Sequence, residues 1–110
     1  MSDTVDQVRK KVLGDAIIET LKTIYDPEIP VNIYELGLVY EVTLDDDMRA
    51  RIVMTLTTPN CPVAESLPEE VKEKVGNIDG IKEAIVEITF DPPWSTEMMS
   101  EEAKLELGLL

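Results

Sequence analysis

The 110-residue chain contains no histidine and a single cysteine, Cys61. The lack of histidine excludes Ser-His-Asp and Cys-His catalytic arrangements, histidine-bound zinc and an imidazole that exchanges a proton near neutral pH. One cysteine cannot form an intramolecular disulfide, and zinc ions and iron–sulfur clusters usually take four protein ligands. A tight metal centre would therefore need ligands from a partner.

Basic residues are also scarce, because 10 Lys and Arg stand against 23 Asp and Glu, which gives a formal charge of −13. Such a surface repels phosphate backbones and anionic membranes. No apolar run approaches the roughly 18 residues of a membrane span, and the first six residues lack the basic start and apolar stretch of a secretory signal. We therefore expect a cytoplasmic protein that binds neither nucleic acid nor membranes.

The length and composition suit one small domain. Residues 1–110 match the size of a single hydrophobic core, and 44% of them are apolar. The chain shows no internal repeat, low-complexity segment or linker. We predict one domain over residues 1–110 that folds without a metal ion or a disulfide.

Apolar residues at helical spacing predict a first helix over residues 5–25, which stops before Pro27. Gly14 weakens the middle of this helix, so a shorter helix that starts near Asp15 is an alternative. The two prolines of residues 26–30 predict a stiff loop.

Two runs of period-two alternation predict a β-hairpin, with the three aspartates of residues 45–47 as its turn. Residues 38–44 form the first strand and residues 49–56 the second, in which Thr55 falls on the polar face. One register satisfies both strands. This register pairs Leu44 with Met48, Tyr40 with Ile52, and Glu41 with Arg51.

A spacing of four between apolar residues predicts a second helix over residues 62–75, with Pro62 in its first position. Pro68 either kinks this helix or marks a second start at Ser66, which forms a capping box with Glu69. Alternation over residues 83–90 predicts a third strand.

Ser100 is predicted to cap a short last helix, which has acidic residues in its first turn and ends at Gly108. The predicted order is therefore α-β-β-α-β-α. Strands joined through a helix should run parallel, whereas the hairpin strands run antiparallel. The predicted fold class is a small α/β (α+β) two-layer sandwich with a three-stranded mixed sheet faced by helices.

Cys61 is the one side chain with nucleophilic or soft-ligand chemistry. It lies where a strand gives way to a helix, and the amides of a helix N-terminus lower the pKa of a thiol. Pro59 and Pro62 stiffen the loop around it. A lone cysteine is as readily an inert, buried apolar residue, and both interpretations stay open on this pattern alone.

The remaining candidates lie in two loops. Asp26 and Glu28 could bind a metal ion or accept a proton, although an aspartate before proline is also a common way to make a turn. Trp94 either closes the edge of the core or anchors a partner. Met98 and Met99 either extend that partner surface or pack on the last helix.

Three segments closely resemble the signature blocks of the SufT/PaaD-like family of metal–sulfur cluster assembly factors: DPEIPVNIYELGLVY at residues 26–40, MTLTTPNCP at 54–62 and FDPPW at 90–94. We call these the signature segments. The likeness runs from about residue 15 to residue 109 with the blocks in the same order. The resemblance implies a domain of the iron–sulfur cluster assembly type and an auxiliary role in maturing iron–sulfur proteins, as in the SUF system.

The resemblance also implies a site. It places the family's reactive cysteine at Cys61 and its acidic loop residue at Asp26, with Thr57, Thr58 and Asn60 lining the same pocket. Glu28 is the second carboxylate of that pocket. PaaD-type members tend to carry a cysteine-bearing C-terminal extension, which this chain lacks, so the SufT side is favoured.

The leading hypothesis is a non-enzymatic accessory protein that meets iron or a transient iron–sulfur cluster with Cys61 at a protein–protein interface. Its expected partners are the assembly machinery and client apoproteins, and a homodimer would let two copies of Cys61 share one metal. One alternative is an adaptor that docks clients through Trp94, Met98 and Met99 without touching the metal. The others are a PaaD-like accessory to a ring-oxygenase pathway and a thiol enzyme that handles persulfide at Cys61.

Overall fold

The computed structural model describes residues 2–25, 29–56 and 66–108, and for residues 2–6 it describes the backbone alone. Its elements are α1 (Ser2–Leu21), β1 (Val39–Leu44), β2 (Arg49–Met54), α2 (Ser66–Gly76), β3 (Glu83–Ile88), a 3₁₀ helix (Thr96–Met98) and α3 (Glu101–Glu106). The predicted order α-β-β-α-β-α is confirmed, with the 3₁₀ helix as an addition. Within the described ranges, no helix has the length and apolar character needed to cross a membrane.

The sheet has the order β1-β2-β3, so β2 is its central strand. β2 pairs antiparallel with β1 and parallel with β3, which confirms the predicted mixed sheet. The alternating residues Ala50, Ile52 and Met54 are fully buried on one face of β2. Helices pack on that side, with α1 against β1 and α2 against β3. The other face carries the charged residues of all three strands.

The register of the hairpin differs from the prediction by two residues. The observed pairs are Leu44 with Ala50, Thr43 with Arg51, Val42 with Ile52 and Glu41 with Val53. A bulge between Val39 and Glu41 makes Tyr40 the extra residue of β1. Because a bulge redirects the side chain of the inserted residue, Tyr40 no longer follows the alternation from which its pairing was predicted.

The turn of the hairpin explains the shift in register. The Asp45 carboxylate Oδ1 accepts hydrogen bonds from the backbone N–H groups of Asp47 and Arg49, each 2.9 Å long. Met48 has a φ of 62°, in the left-handed region that closes a three-residue hairpin loop. Glycine is the usual residue at that position, so the sequence contained no sign that the turn ends at Met48.

Helix α1 begins at Ser2 and continues through Gly14, so the alternative start near Asp15 is wrong. It ends at Leu21 rather than at residue 25. The chain turns there because the N–H and the side-chain hydroxyl of Thr23 both donate to the carbonyl of Thr20. Leu13, Ile17 and Leu21, spaced by four, form its buried face.

Helix α2 is described from Ser66 to Gly76. Pro68 lies in its first turn, where the missing N–H has no partner within the helix to lose. The predicted first position at Pro62 lies outside the described residues. In α3 the predicted cap is confirmed, because Ser100 Oγ accepts a 3.1 Å hydrogen bond from the N–H of Ala103.

Candidate functional site

The pocket residues and the thiol predicted from the sequence lie in two segments outside the described residues. These residues are Asp26 and Glu28 in segment 26–28, and Thr57, Thr58, Asn60 and Cys61 in segment 57–65. Their arrangement therefore stays a prediction. The residues on either side of both segments are described, and they show where each segment leaves the fold.

A ladder of backbone hydrogen bonds connects the flanks of these two segments. The N–H of Ile33 donates to the carbonyl of Ile24 over 2.8 Å, and the N–H of Leu38 donates to the carbonyl of Ile33 over 3.1 Å. The N–H of Thr55 then donates to the carbonyl of Leu38 over 2.8 Å. All four residues are fully buried. The chain on both sides of segment 26–28 and the residues just before segment 57–65 are thus anchored at one end of the sheet.

Thr55 is the first residue after β2. It is 0% exposed, and in the described part of the chain it is the one polar residue classed as buried. Its Oγ1 has no hydrogen-bond partner among the residues that the structure describes. The prediction that Thr55 lies on the polar face of the strand is wrong, because β2 ends at Met54 and alternation no longer applies one residue later.

A C-terminal segment, residues 92–100, crosses the segment 35–40, and we call it the strap. Three hydrogen bonds hold it in place: Trp94 Nε1 to the carbonyl of Leu36 (2.7 Å), the N–H of Ser100 to the carbonyl of Glu35 (2.8 Å), and the Tyr40 hydroxyl to the carbonyl of Pro92 (2.8 Å). The strap therefore joins the first and third signature segments.

Gly37 allows the close approach of the strap. Its φ is 80°, and a Cβ atom built on it would lie 2.3 Å from the backbone oxygen of Met98. No side chain fits that space without moving the strap, and the left-handed backbone itself favours glycine. The glycine of the first signature segment thus has a structural explanation.

The strap also decides the positions of the predicted partner residues. Met99 is 6% exposed and belongs to the core, so its side chain does not lie on the surface where we predicted it. Trp94 is half-buried against the core. Met98 is also half-buried, and its Sδ atom lies 3.5 Å from the Tyr40 hydroxyl. A partner role for Trp94 and Met98 remains a prediction.

The outer face of the sheet carries exposed ion pairs. Arg51 binds Glu87 through two hydrogen bonds of 3.0 and 2.7 Å, and its guanidinium also lies 4.0 Å from Glu41. The hydrogen bond from Arg51 lowers the pKa of Glu87. At the hairpin turn, the hydrogen bond from Lys10 likewise lowers the pKa of Asp46. Glu87 and Asp46 are therefore both paired with basic side chains.

A small cleft lies beside segment 26–28. Its lining includes Tyr25, Asn32 and the carboxylates Glu35, Glu102 and Glu106. Within residues 2–25, 29–56 and 66–108, no three cysteine or acidic side chains are grouped so that they could hold a metal ion. The cleft therefore has a negatively charged lining, which attracts cationic groups.

Comparison with known proteins identifies the family. Residues 14–88 match the family model described as iron-sulfur cluster assembly protein. The chain is 51% identical over 94 residues to the Fe-S protein maturation auxiliary factor of Porphyromonas gingivalis, a match that covers 86% of this chain and 90% of that protein. It is 39% identical over 100 residues to the Fe-S protein maturation auxiliary factor YitW of Bacillus subtilis, covering 91% and 98%.

A solved structure has a similar fold. The crystal structure of a domain of unknown function from Bacillus anthracis superposes with a TM-score of 0.86 at 36% identity, over 94% of this chain and 99% of that one. The chain therefore belongs to the iron-sulfur cluster assembly protein family, in agreement with the SufT/PaaD-like resemblance of its signature segments.

Proposed function

We propose that this protein is a non-enzymatic auxiliary factor that helps to assemble iron–sulfur clusters or to deliver them to client apoproteins, as one cytoplasmic domain in a SUF-type pathway. The observation that carries the proposal is its similarity, over 86% of its length, to a protein named as an Fe-S protein maturation auxiliary factor. In this proposal Cys61 contacts the iron or the cluster, which is cargo rather than a resident cofactor.

The composition supports a shared site. One thiolate cannot complete the coordination of iron, so the other ligands would come from a client, from the assembly machinery or from a second copy of this chain. The absence of histidine means that this chain offers no imidazole nitrogen as a further metal ligand. A cargo held by one ligand of this protein is also easily passed to a client that offers more ligands.

The backbone that flanks the proposed site is held in place by hydrogen bonds, which supports a pre-organised site. The segment with Cys61 follows Leu56, two residues after the end of β2, and α2 begins at Ser66. The ladder of hydrogen bonds connects the flank of this segment at Thr55 to the flank of segment 26–28. Pre-organised flanks reduce the entropy lost when a site is completed by a partner. The acidic cleft beside Tyr25 favours partners with basic side chains at this end.

A complementation experiment tests the role of Cys61. In a strain that lacks the gene, we expect the activity of iron–sulfur enzymes, normalised to their protein level, to be restored by the wild-type chain and not by Cys61→Ser. Replacing the thiol with a hydroxyl removes the soft ligand while changing the side-chain volume little. Ser95→Ala is the matched control, because the Ser95 side chain forms no cap hydrogen bond to the helix that follows it.

The outcomes separate the possible roles. Full restoration by a normally abundant Cys61→Ser protein would contradict a ligand or carrier role and favour a docking adaptor. A deletion strain with normal iron–sulfur enzyme activity would contradict the proposed function as a whole. Restoration by wild type and Ser95→Ala alone supports thiol chemistry in maturation.

A further inference from the structure

Strand β3 forms an open edge of the sheet. The strand order β1-β2-β3 places it at one side, and in the described part of the chain only β2 pairs with it. The N–H of Thr89 donates to the carbonyl of Met54 over 2.9 Å, beside the register pair of Met54 with Ile88. Because successive N–H groups of a strand point to opposite edges, those of Ala84, Val86 and Ile88 point away from β2. The open edge therefore presents a row of backbone donors and acceptors.

The opposite edge of the sheet, formed by β1, is protected. It has a bulge at Tyr40, and the hydroxyl of Tyr40 holds the strap through the carbonyl of Pro92. Bulges and covering segments are two ways in which natural proteins keep a sheet edge from pairing with another chain. In contrast, β3 pairs with β2 without a bulge from Glu83 to Ile88, and it contains no proline or lysine. It therefore keeps the regular backbone that an added strand requires.

A shallow groove lies beside this open edge, between β3 and α2. Its lining includes Glu69, Lys72, Glu73 and Gly76 on α2, and Lys82, Glu83 and Ala84 at the start of β3. A Cβ atom built on Gly76 would lie 3.8 Å from the Cβ atom of Ala84, so two small residues meet where the helix crosses the strand. They leave space beside the edge for the side chains of an added strand. The groove extends to the Gly76 end of α2, whereas segment 57–65 precedes the Ser66 end.

The charge of β3 indicates what kind of strand fits this edge. On the outer face of the sheet β3 carries Glu83 and Glu87, with the 38% exposed Ile85 between them, and it has no basic residue. The two glutamate side chains are 56% and 49% exposed, although Arg49 and Arg51 approach them from β2. A carboxylate accepts more than one hydrogen bond, so lysine or arginine side chains of an added strand can bind it from the other side.

A second copy of this chain does not suit the same edge. Pairing of two β3 strands would bring the glutamates of both copies together, and like charges on neighbouring strands are unfavourable. Each copy also has a net charge of −13, so two copies repel each other over most of their surface. A basic segment is attracted by the same charge. The electrostatics therefore favour a basic partner over self-pairing.

We propose that the edge of β3 and the groove beside it bind an extended segment of a partner protein, in which basic residues alternate with apolar ones. The segment adds as a further strand, and its backbone bonds to the N–H and C=O groups of Ala84, Val86 and Ile88. Its basic side chains lie beside Glu83 and Glu87 on the outer face, and its apolar side chains lie on the opposite face. This inference goes beyond the proposed function and needs neither the thiol nor the cargo.

The first test is a titration of the purified full chain with a synthetic peptide of the length of β3 in which lysine alternates with valine. At about 0.15 M salt, charges more than about 8 Å apart are largely screened, so binding reports on close contacts. Amide hydrogen exchange then locates the peptide. We expect it to slow the exchange of the N–H groups of Ala84, Val86 and Ile88 about tenfold or more and to leave β1 unchanged.

A peptide with the same side chains but methylated backbone amides is the control for strand addition. It has the same charge and cannot donate backbone hydrogen bonds, so we expect it not to bind. This comparison uses the wild-type chain and does not depend on the folding of any variant.

Ile85→Lys tests the edge itself, because it places a positive charge between Glu83 and Glu87. We expect the affinity for the lysine–valine peptide to fall about tenfold. Thr43→Lys is the matched control, since Thr43 is exposed on the same face of the sheet but on β1, the other edge strand. It changes the net charge equally, and it should weaken binding less than about twofold.

Each other result overturns the inference. Equal binding of the methylated peptide, or equal weakening by Ile85→Lys and Thr43→Lys, means that net charge alone attracts the peptide. No binding, or slowed exchange outside β3, means that the edge does not accept such a strand. A wild-type dimer in sedimentation that becomes a monomer after Ile85→Lys means that a second copy occupies the edge. All of these outcomes leave the proposed function to its own experiment.

Discussion

The strap and the end of β2 both include signature-segment residues, yet their polar side chains differ in hydrogen bonding. On the strap, Trp94 Nε1 and the Tyr40 hydroxyl each reach a backbone carbonyl, at 2.7 and 2.8 Å. At the end of β2 the hydroxyl of Thr55 is fully buried, and among the described residues it has no partner. The polar side chains of the strap contact thus have hydrogen-bond partners, whereas the Thr55 hydroxyl has none among the described residues.

This difference teaches that a family signature mixes two kinds of residue. Gly37, Tyr40 and Trp94 each make or allow a contact that holds the strap over segment 35–40. Their contacts explain their presence without any chemistry. The candidates for function are then the signature residues that no contact of the fold explains.

Gly37→Ala should break the strap and have the largest effect. The new Cβ would lie 2.3 Å from the Met98 oxygen on a backbone with a φ of 80°. We expect the free energy of unfolding in urea to fall by about 3 kcal/mol, from the strained backbone and the displaced strap together. A loss below about 1 kcal/mol would show that the strap yields easily.

Gly14→Ala is the matched control for that substitution. Gly14 lies inside α1, and an added Cβ would meet nothing within 4 Å. Alanine should therefore raise the free energy of unfolding by about 0.5 to 1 kcal/mol through its helix propensity. The same chemical change would then have opposite signs in the two places.

Tyr40→Phe should have an intermediate effect, because it removes one hydrogen bond of the strap and keeps the ring. Loss of the 2.8 Å bond to the Pro92 carbonyl is expected to lower the free energy of unfolding by about 1 kcal/mol. Tyr25→Phe is the control, since Tyr25 is 57% exposed. Equal effects of the two substitutions would mean that the Tyr40 hydroxyl adds nothing to the strap.

Glu87→Gln should have the smallest effect, because the ion pair with Arg51 is exposed to water and salt. Arg51 lowers the pKa of Glu87, so the pair stabilises the protein above the unfolded pKa of about 4.3. That contribution is lost as the pH falls through the lower, folded pKa. The urea midpoints of wild type and Glu87→Gln should therefore differ slightly at pH 7 and converge near about pH 2.

Glu73→Gln serves as the control for the pH series. Glu73 is exposed on α2, and no ion pair is seen for it within the described ranges. Glu73→Gln therefore removes one negative charge without breaking an ion pair seen among the described residues, and it measures the effect of the charge change alone. A constant difference between wild type and Glu87→Gln at both pH values would contradict the ion-pair explanation.

The sequence predicted the element order, the mixed sheet and the Ser100 cap, because each depends on local periodicity or on a single capping residue. It failed at the hairpin register, because Met48 adopts a left-handed conformation that usually requires glycine, and the Asp45 carboxylate extends the turn. Residue alternation contains no information about either feature.

The sequence also failed where the chain leaves a regular element. Alternation placed Thr55 on the polar face, but β2 has ended at Met54 and Thr55 is fully buried. Met99 is buried by the path of the strap, a tertiary contact that no local pattern shows. The pocket around Cys61 and Asp26 came from family resemblance, and it remains a prediction because both residues lie outside the described ranges.

The strap has a consequence for how the chain reaches its fold. Its hydrogen bonds join residues 52 and 58 positions apart, about half of the 110-residue sequence. Contacts between such distant positions form late, because the entropy of closing the loop is lost before any contact rewards it. On the ribosome, the core around Leu36 and Leu38 therefore stays open until residues 92–100 have emerged. This edge of the domain closes only after residues 92–100 are available, and it contains residues of two of the three signature segments.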